Sequence, residues 1–111
     1  MDVEKIVAGL EGDRKLFSEL VDLFFTNCPL QMAAIESAVR DGDAAGLRKA
    51  AHKLKGTVGT FKAEESAAAA SRLEQMGTAG DMAGARAAID GLRSAVDRLT
   101  RELAPYRASD V

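Results

Sequence analysis

"DAAGLRKAAHKLKGTVGTF", residues 43–61, decides how this chain reads. Asp43 opens it as a good helix N-cap. Leu47, Ala51, Leu54, Val58 and Phe61 follow in steps of four, three, four and three, one face of a helix. At about 100° per residue, with Leu54 at zero, those side chains fall within about 60° of one another's centre line. The only histidine, His52, falls at about 160°, on the opposite side. Gly59 lies at about 140°, Gly56 at about 200°, Arg48 at about 120° and Lys55 at about 100°. A glycine inside a helix costs roughly 1 kcal/mol against alanine. Two of them on a solvent face add nothing to a core. They do clear side-chain bulk from beside the imidazole, so that a partner can bring its own backbone close to the ring.

Upstream, a pattern of threes and fours starts at Asp13: Leu16, Phe17, Leu20, Val21, Phe24, Phe25, Cys28, Met32, Ile35 and Val39. Pro29 sits inside it and lacks a backbone donor. It predicts a kink or break near Asn27, giving one long bent helix or two nearly collinear ones that end at "RDGD". Before that, "DVEKIVAGLEGD" reads as a short helix stopped by Gly9 or Gly12. Downstream, the pattern breaks near Lys62. "EESAAAASRLEQM" then makes a helix with a small-residue face, Ala67 and Ala70, widening to Leu73 and Met76. "GTAGD" is a turn with Asp81 as the next cap. The last stripe is Met82, Ala85, Ile89, Leu92, Val96, Leu99 and Leu103. Pro105 stops it, and "YRASDV" reads as a frayed tail.

No strand pattern competes. The expected fold is all-α, an antiparallel four-helix bundle with a short N-terminal helix. The chain reads as one domain over residues 1–111, with its core in 14–104 and a tail at 105–111. Its 111 residues suffice for a single core. A formal net charge of −2 excludes the strongly basic footprint of a nucleic-acid binder. No apolar run is long enough to span a bilayer. Cys28 is alone, so no internal disulfide forms, and it suits a reducing compartment. The expected location is the cytoplasm.

A lone surface histidine is most often simply solvated, and the cations near it are most often ordinary helix surface. The paired glycines argue for more. A metal site is disfavoured, because there is no second histidine and the one cysteine lies on an apolar stripe. A nucleophile–base pair would need a serine or cysteine brought near His52, and no local motif suggests one.

"AHKLKGTVGTFKA", residues 51–63, resembles the signature of the histidine-containing phosphotransfer (HPt) domain family. His52, Leu54, Lys55, Gly56, Thr57, Gly59, Phe61 and Ala63 fit it. "SRLEQMGTAGDM" downstream and "LFFTNCPLQMAAIESAVRDGDAAGLRKAAH" upstream look like the family as well, so the resemblance covers nearly the whole chain. Lys62 departs from it, standing where the family often has glycine.

The resemblance implies a phosphorelay carrier. His52 would take a phosphoryl group from an aspartate of a receiver domain and pass it to an aspartate of another. Lys55 would offset charge on that group. Arg48, Lys49, Gly56, Gly59 and Lys62 would belong to the docking face. A neutral imidazole is suited to the attack, since its ordinary pKa of about 6.5 leaves much of it unprotonated near neutral pH. The implied partners are receiver domains of response regulators and a hybrid sensor histidine kinase, with no nucleic acid and no membrane, and the chain a monomer. No cofactor of its own is implied; Mg²⁺ would sit on the partner receiver domain. No Gly-rich nucleotide loop is present, so the domain reads as a transfer intermediate rather than an autonomous kinase. Two other readings stay open: a module that binds a receiver or kinase without accepting phosphate, and the dimerising phosphoacceptor domain of a sensor kinase. Against the second, Lys53 follows the histidine where an acidic residue is typical, and the next proline after it is Pro105.

Overall fold

A computed structural model describes residues 1–108. The helices are α1 (Val3–Gly9), α2 (Arg14–Asp41), α3 (Ala44–Gly59), α4 (Glu64–Ala79) and α5 (Met82–Leu103), followed by a 3₁₀ turn at Ala104–Tyr106. Among the described residues there is no strand.

Local chemistry sets the boundaries. Asp2, Asp13, Asp43 and Asp81 each accept a hydrogen bond from the backbone N–H three residues on, at 2.8–3.1 Å. Each satisfies an amide that the first turn leaves without a partner. Helix α4 starts at Ala63 without such a cap. Gly42 and Gly80 end α2 and α4 with φ of +68° and +72°, a conformation that glycine adopts without strain. The connections are therefore very short, and successive long helices run antiparallel. Helix α3 packs against α2 and α4, and α5 closes the ring between α4 and α2.

The buried stripes of α3 and α5 follow the periodicity. Leu47, Ala51, Leu54, Val58 and Phe61 are all buried, as are Ala85, Leu92, Val96, Leu99 and Leu103. Phe61 meets Phe17 and Phe24 edge-on at 6.2 and 5.7 Å, a favoured arrangement of aromatic rings.

Of the two forms expected for α2, the structure shows the single long helix, which runs on through Pro29. Val21, Phe24, Cys28, Met32 and Ile35 bury their side chains on both sides of the proline, and that shared packing offsets the one hydrogen bond the missing donor removes. Three other expectations need correction. The α2 stripe is narrower than its apolar pattern: Leu16 is exposed, and Leu20 and Phe25 are only partly covered. On α4 the buried face is Ser66, Ala69, Ala70, Leu73 and Gly77, with Ala67 and Met76 at its margin. An alanine run gives little phase information, because every face of it is equally apolar.

The third correction concerns the ends of the core. Helix α1 contributes Ile6 and Val7 to the main cluster, so the core reaches beyond residues 14–104. The expected loose tail is held down over its described part. Tyr106 meets the Phe17 ring edge-on at 5.6 Å, the Arg107 guanidinium lies 4.2 Å over Phe25, and the Ala108 N–H donates to Asp22 Oδ1 at 3.1 Å. The remainder of that expected tail, residues 109–111, lies outside the described residues.

Candidate functional site

The α3 stripe that buries Ala51 and Leu54 turns His52 outward. Its side chain is 66% exposed, while Ala51 and Leu54 are fully covered. The imidazole is nonetheless held. Nδ1 lies 2.9 Å from Glu74 Oε2 on α4. The other carboxylate oxygen of Glu74 lies 2.8 Å from Lys55 Nζ. One carboxylate thus bridges the histidine and the lysine one turn below it.

The electrostatics of that bridge fix the ring. The hydrogen bond from Lys55 holds the Glu74 carboxyl below its ordinary pKa, the bond to His52 works in the same direction, and partial burial opposes both. Glu74 is therefore ionised near neutral pH and can only accept hydrogen bonds. In a neutral imidazole its partner Nδ1 must carry the proton. Nε2 then keeps its lone pair on the exposed side of the ring.

The position of Glu74 depends on how closely α4 approaches α3. Gly77 lies one turn beyond Glu74 on α4 and is buried. A Cβ placed on it would stand 2.7 Å from the Arg48 backbone N and 2.9 Å from the Ala44 carbonyl oxygen. Only a glycine lets the helices meet so closely. Arg48 is one turn before His52, so the tight contact sits one turn away from the His52–Glu74 bond.

The remaining expected residues divide into two groups. Arg48 and Lys49 are exposed on α3, in the turn before His52. Gly56 and Gly59 are exposed, and a Cβ on either would meet nothing within 4 Å. Open space therefore stands over both glycines. Lys62 is not brought to this place. It lies in the turn after α3 with φ of +53°, and its Nζ is 4.0 Å from where a Cβ on Gly9 of α1 would stand. The left-handed backbone there is what a glycine at this position would supply without strain.

Sequence reasoning missed Glu74. It also missed what α2 adds beside the histidine face: Leu30, 68% exposed, lines a shallow groove with Gly56 and Lys53. Among the described residues, no group of three or more His, Cys, Asp or Glu side chains could hold a metal ion. Among the described residues no helix is long and apolar enough to cross a membrane.

The fold and site together define a class: an all-α bundle that presents one oriented imidazole on an open helix face. The family model of the Hpt domain matches residues 19–102, and the chain belongs to that family. Searches for similar curated proteins and similar solved structures give no match. Hpt domains are phosphotransfer modules of phosphorelays, working with two-component partners.

Proposed function

We propose that this domain carries a phosphoryl group between receiver domains, with His52 as the acceptor. The observation that carries the reading is the bridge of Glu74 to His52 Nδ1, which leaves Nε2 as an outward-facing nucleophile. Nε2 attacks the phosphorus of an aspartyl phosphate on the docked receiver. The N–P bond forms as the P–O bond to the aspartate breaks, and the aspartate leaves as a carboxylate. The ring becomes cationic, with its Nδ1 proton still on the Glu74 side, and the Glu74 carboxylate stabilises that charge. Passing the group to a second aspartate reverses these bond changes.

Lys55 acts close to this centre. In the free domain it is paired with Glu74, so its first effect is to keep that carboxylate ionised. Its flexible stem also lets the ammonium approach the phosphoryl oxygens, where a cation offsets charge. Mg²⁺ belongs to the receiver in this scheme. The partners are receiver domains of response regulators and a hybrid sensor histidine kinase. Arg48 and Lys49 lie at one end of the docking face, and Gly56, Gly59 and Leu30 at the other.

The test is transfer from receiver domains of the source organism charged with labelled acetyl phosphate and Mg²⁺. The wild-type domain gains one acid-labile, base-stable phosphoryl group, and His52→Gln gains none while still binding the receiver. Equal labelling of His52→Gln overturns the assignment. Binding without any label on the wild type leaves the interaction-module reading instead.

A further inference from the structure

Beside the histidine face, α2 and α3 enclose a shallow groove lined by Asn27, Leu30, Gln31, Lys53, Gly56 and Thr57. One group in it is unsatisfied. The side-chain carbonyl of Gln31, Oε1, is shut off from solvent and has no hydrogen-bond partner. Such a group carries a desolvation penalty that native proteins rarely leave uncompensated. The threonine hydroxyls of the groove do not serve it. Thr57 donates to the Lys53 carbonyl at 3.2 Å, and Thr60, at the groove's edge, donates to the Gly56 carbonyl at 3.3 Å. Both are turned into their own helix.

The groove is continuous with the phosphoacceptor face. Gly56 is one turn beyond His52 and belongs to both, and Lys53 is the histidine's neighbour in sequence. Gln31 itself is only partly buried and lines the groove, so its side chain can turn toward the groove's mouth. The oxygen gives up no hydrogen bond in doing so, because it makes none.

We propose that Gln31 is a docking residue: its carbonyl accepts a hydrogen bond from the surface of the receiver domain that engages His52. The inference rests on the carrier reading above. Gln31 positions the partner and takes no part in bond making. The free domain holds the acceptor unsatisfied, and docking satisfies it. Stability and affinity are therefore set against each other at this one side chain.

That opposition gives the test. Gln31→Met keeps the volume and removes the polar group. Its melting temperature rises by about 3 °C. Its dissociation constant for the receiver that best charges wild-type His52, measured by titration calorimetry, rises about five- to tenfold. In the transfer assay KM rises by the same factor, and kcat at saturating receiver is unchanged. Gln31→Glu retains an acceptor oxygen and recovers most of the affinity. A merely structural role would move stability and affinity together. Charging of His52 with an unchanged dissociation constant in Gln31→Met overturns this inference and leaves the carrier reading intact. Failure of every receiver to charge wild-type His52 overturns both.

Discussion

Two regions of α3 and its neighbours use helical glycine for opposite purposes. Gly77 is pressed against the backbone of Arg48 and Ala44, with no room for a single added carbon. Gly56 and Gly59 face open space. All three carry a similar propensity cost of roughly 1 kcal/mol against alanine. At Gly77 the return is internal: the helices close up, and Glu74 reaches His52. At Gly56 and Gly59 nothing inside the domain benefits, so the return lies in an approaching partner. Glycine in a helix thus signals close approach in both places, once by the domain's own backbone and once by another molecule.

Gly77→Ala should have the largest effect. The new Cβ meets backbone atoms, which cannot swing aside, so overpacking destabilises the domain by about 2–3 kcal/mol. Thermal melting should fall by roughly 10 °C. The shift of α4 should also loosen the Glu74–His52 bond, and the Nδ1 proton should lose its protection in NMR spectra. A melting temperature equal to wild type would break the comparison at its first term.

Gly56→Leu and Gly59→Leu should act in the opposite direction on stability, raising it by up to about 1 kcal/mol through helix propensity. Transfer to His52 should nonetheless slow by about tenfold or more, because a branched side chain holds the partner away from the reacting geometry. Stopped-flow transfer alongside urea unfolding separates the two effects. Wild-type transfer rates in both variants would remove the clearance argument.

Lys62 sharpens the comparison with a third case, in which the backbone angle rather than a neighbour favours glycine. Lys62→Gly relieves the left-handed conformation, partly offset by the greater freedom of glycine in the unfolded chain, for a net gain of about 0.5 kcal/mol. Transfer at saturating receiver should be unchanged, since the residue lies in the turn over α1 rather than beside the ring.

The smallest effect concerns the α3–α4 bridge. Lys55→Ala removes the main cause of the depressed Glu74 pKa, so that pKa should rise toward the ordinary carboxylate range in a carbon-detected NMR titration. The sign for stability follows. The folded-state pKa is below the unfolded one, so the contribution is complete above the ordinary range and is lost as pH falls through the depressed value. Unfolding curves of Lys55→Ala and wild type should therefore converge in acid. A Glu74 titration unmoved by the substitution would separate Lys55 from the bridge.

The sequence carried the fold well where side chains differ sharply in polarity. Leu47, Ala51, Leu54, Val58 and Phe61 read as a buried stripe and are buried, as are Ala85, Leu92, Val96, Leu99 and Leu103 of the last stripe, whose Met82 and Ile89 are only partly covered. Aspartates at 43 and 81 read as caps and are caps. Where the pattern is uniform the reading failed, as on the alanine run of α4. At Pro29 it left one helix or two open, and packing from both sides of the proline keeps one. His52 and its clear face were legible because both lie on a single helix. Glu74 was not, since its meeting with His52 depends on the register between two helices, which Gly77 sets and no local pattern displays. The docked tail was missed for a similar reason: Tyr106 and Arg107 find their partners on α2, far away in sequence.

That tail has a consequence for the lifetime of the fold. The bond from Ala108 to Asp22 joins residues 86 apart in sequence, whereas α2 to α5 are joined in succession by short turns. Closing a longer loop costs more chain entropy, so the strap over Phe17 and Phe25 forms after the hairpins of the bundle. Contacts made after the folding barrier leave the rate of assembly almost untouched and act on the rate of escape. The last residues to settle are a brake on unfolding: they lengthen the time α2 stays in place, without hastening its arrival.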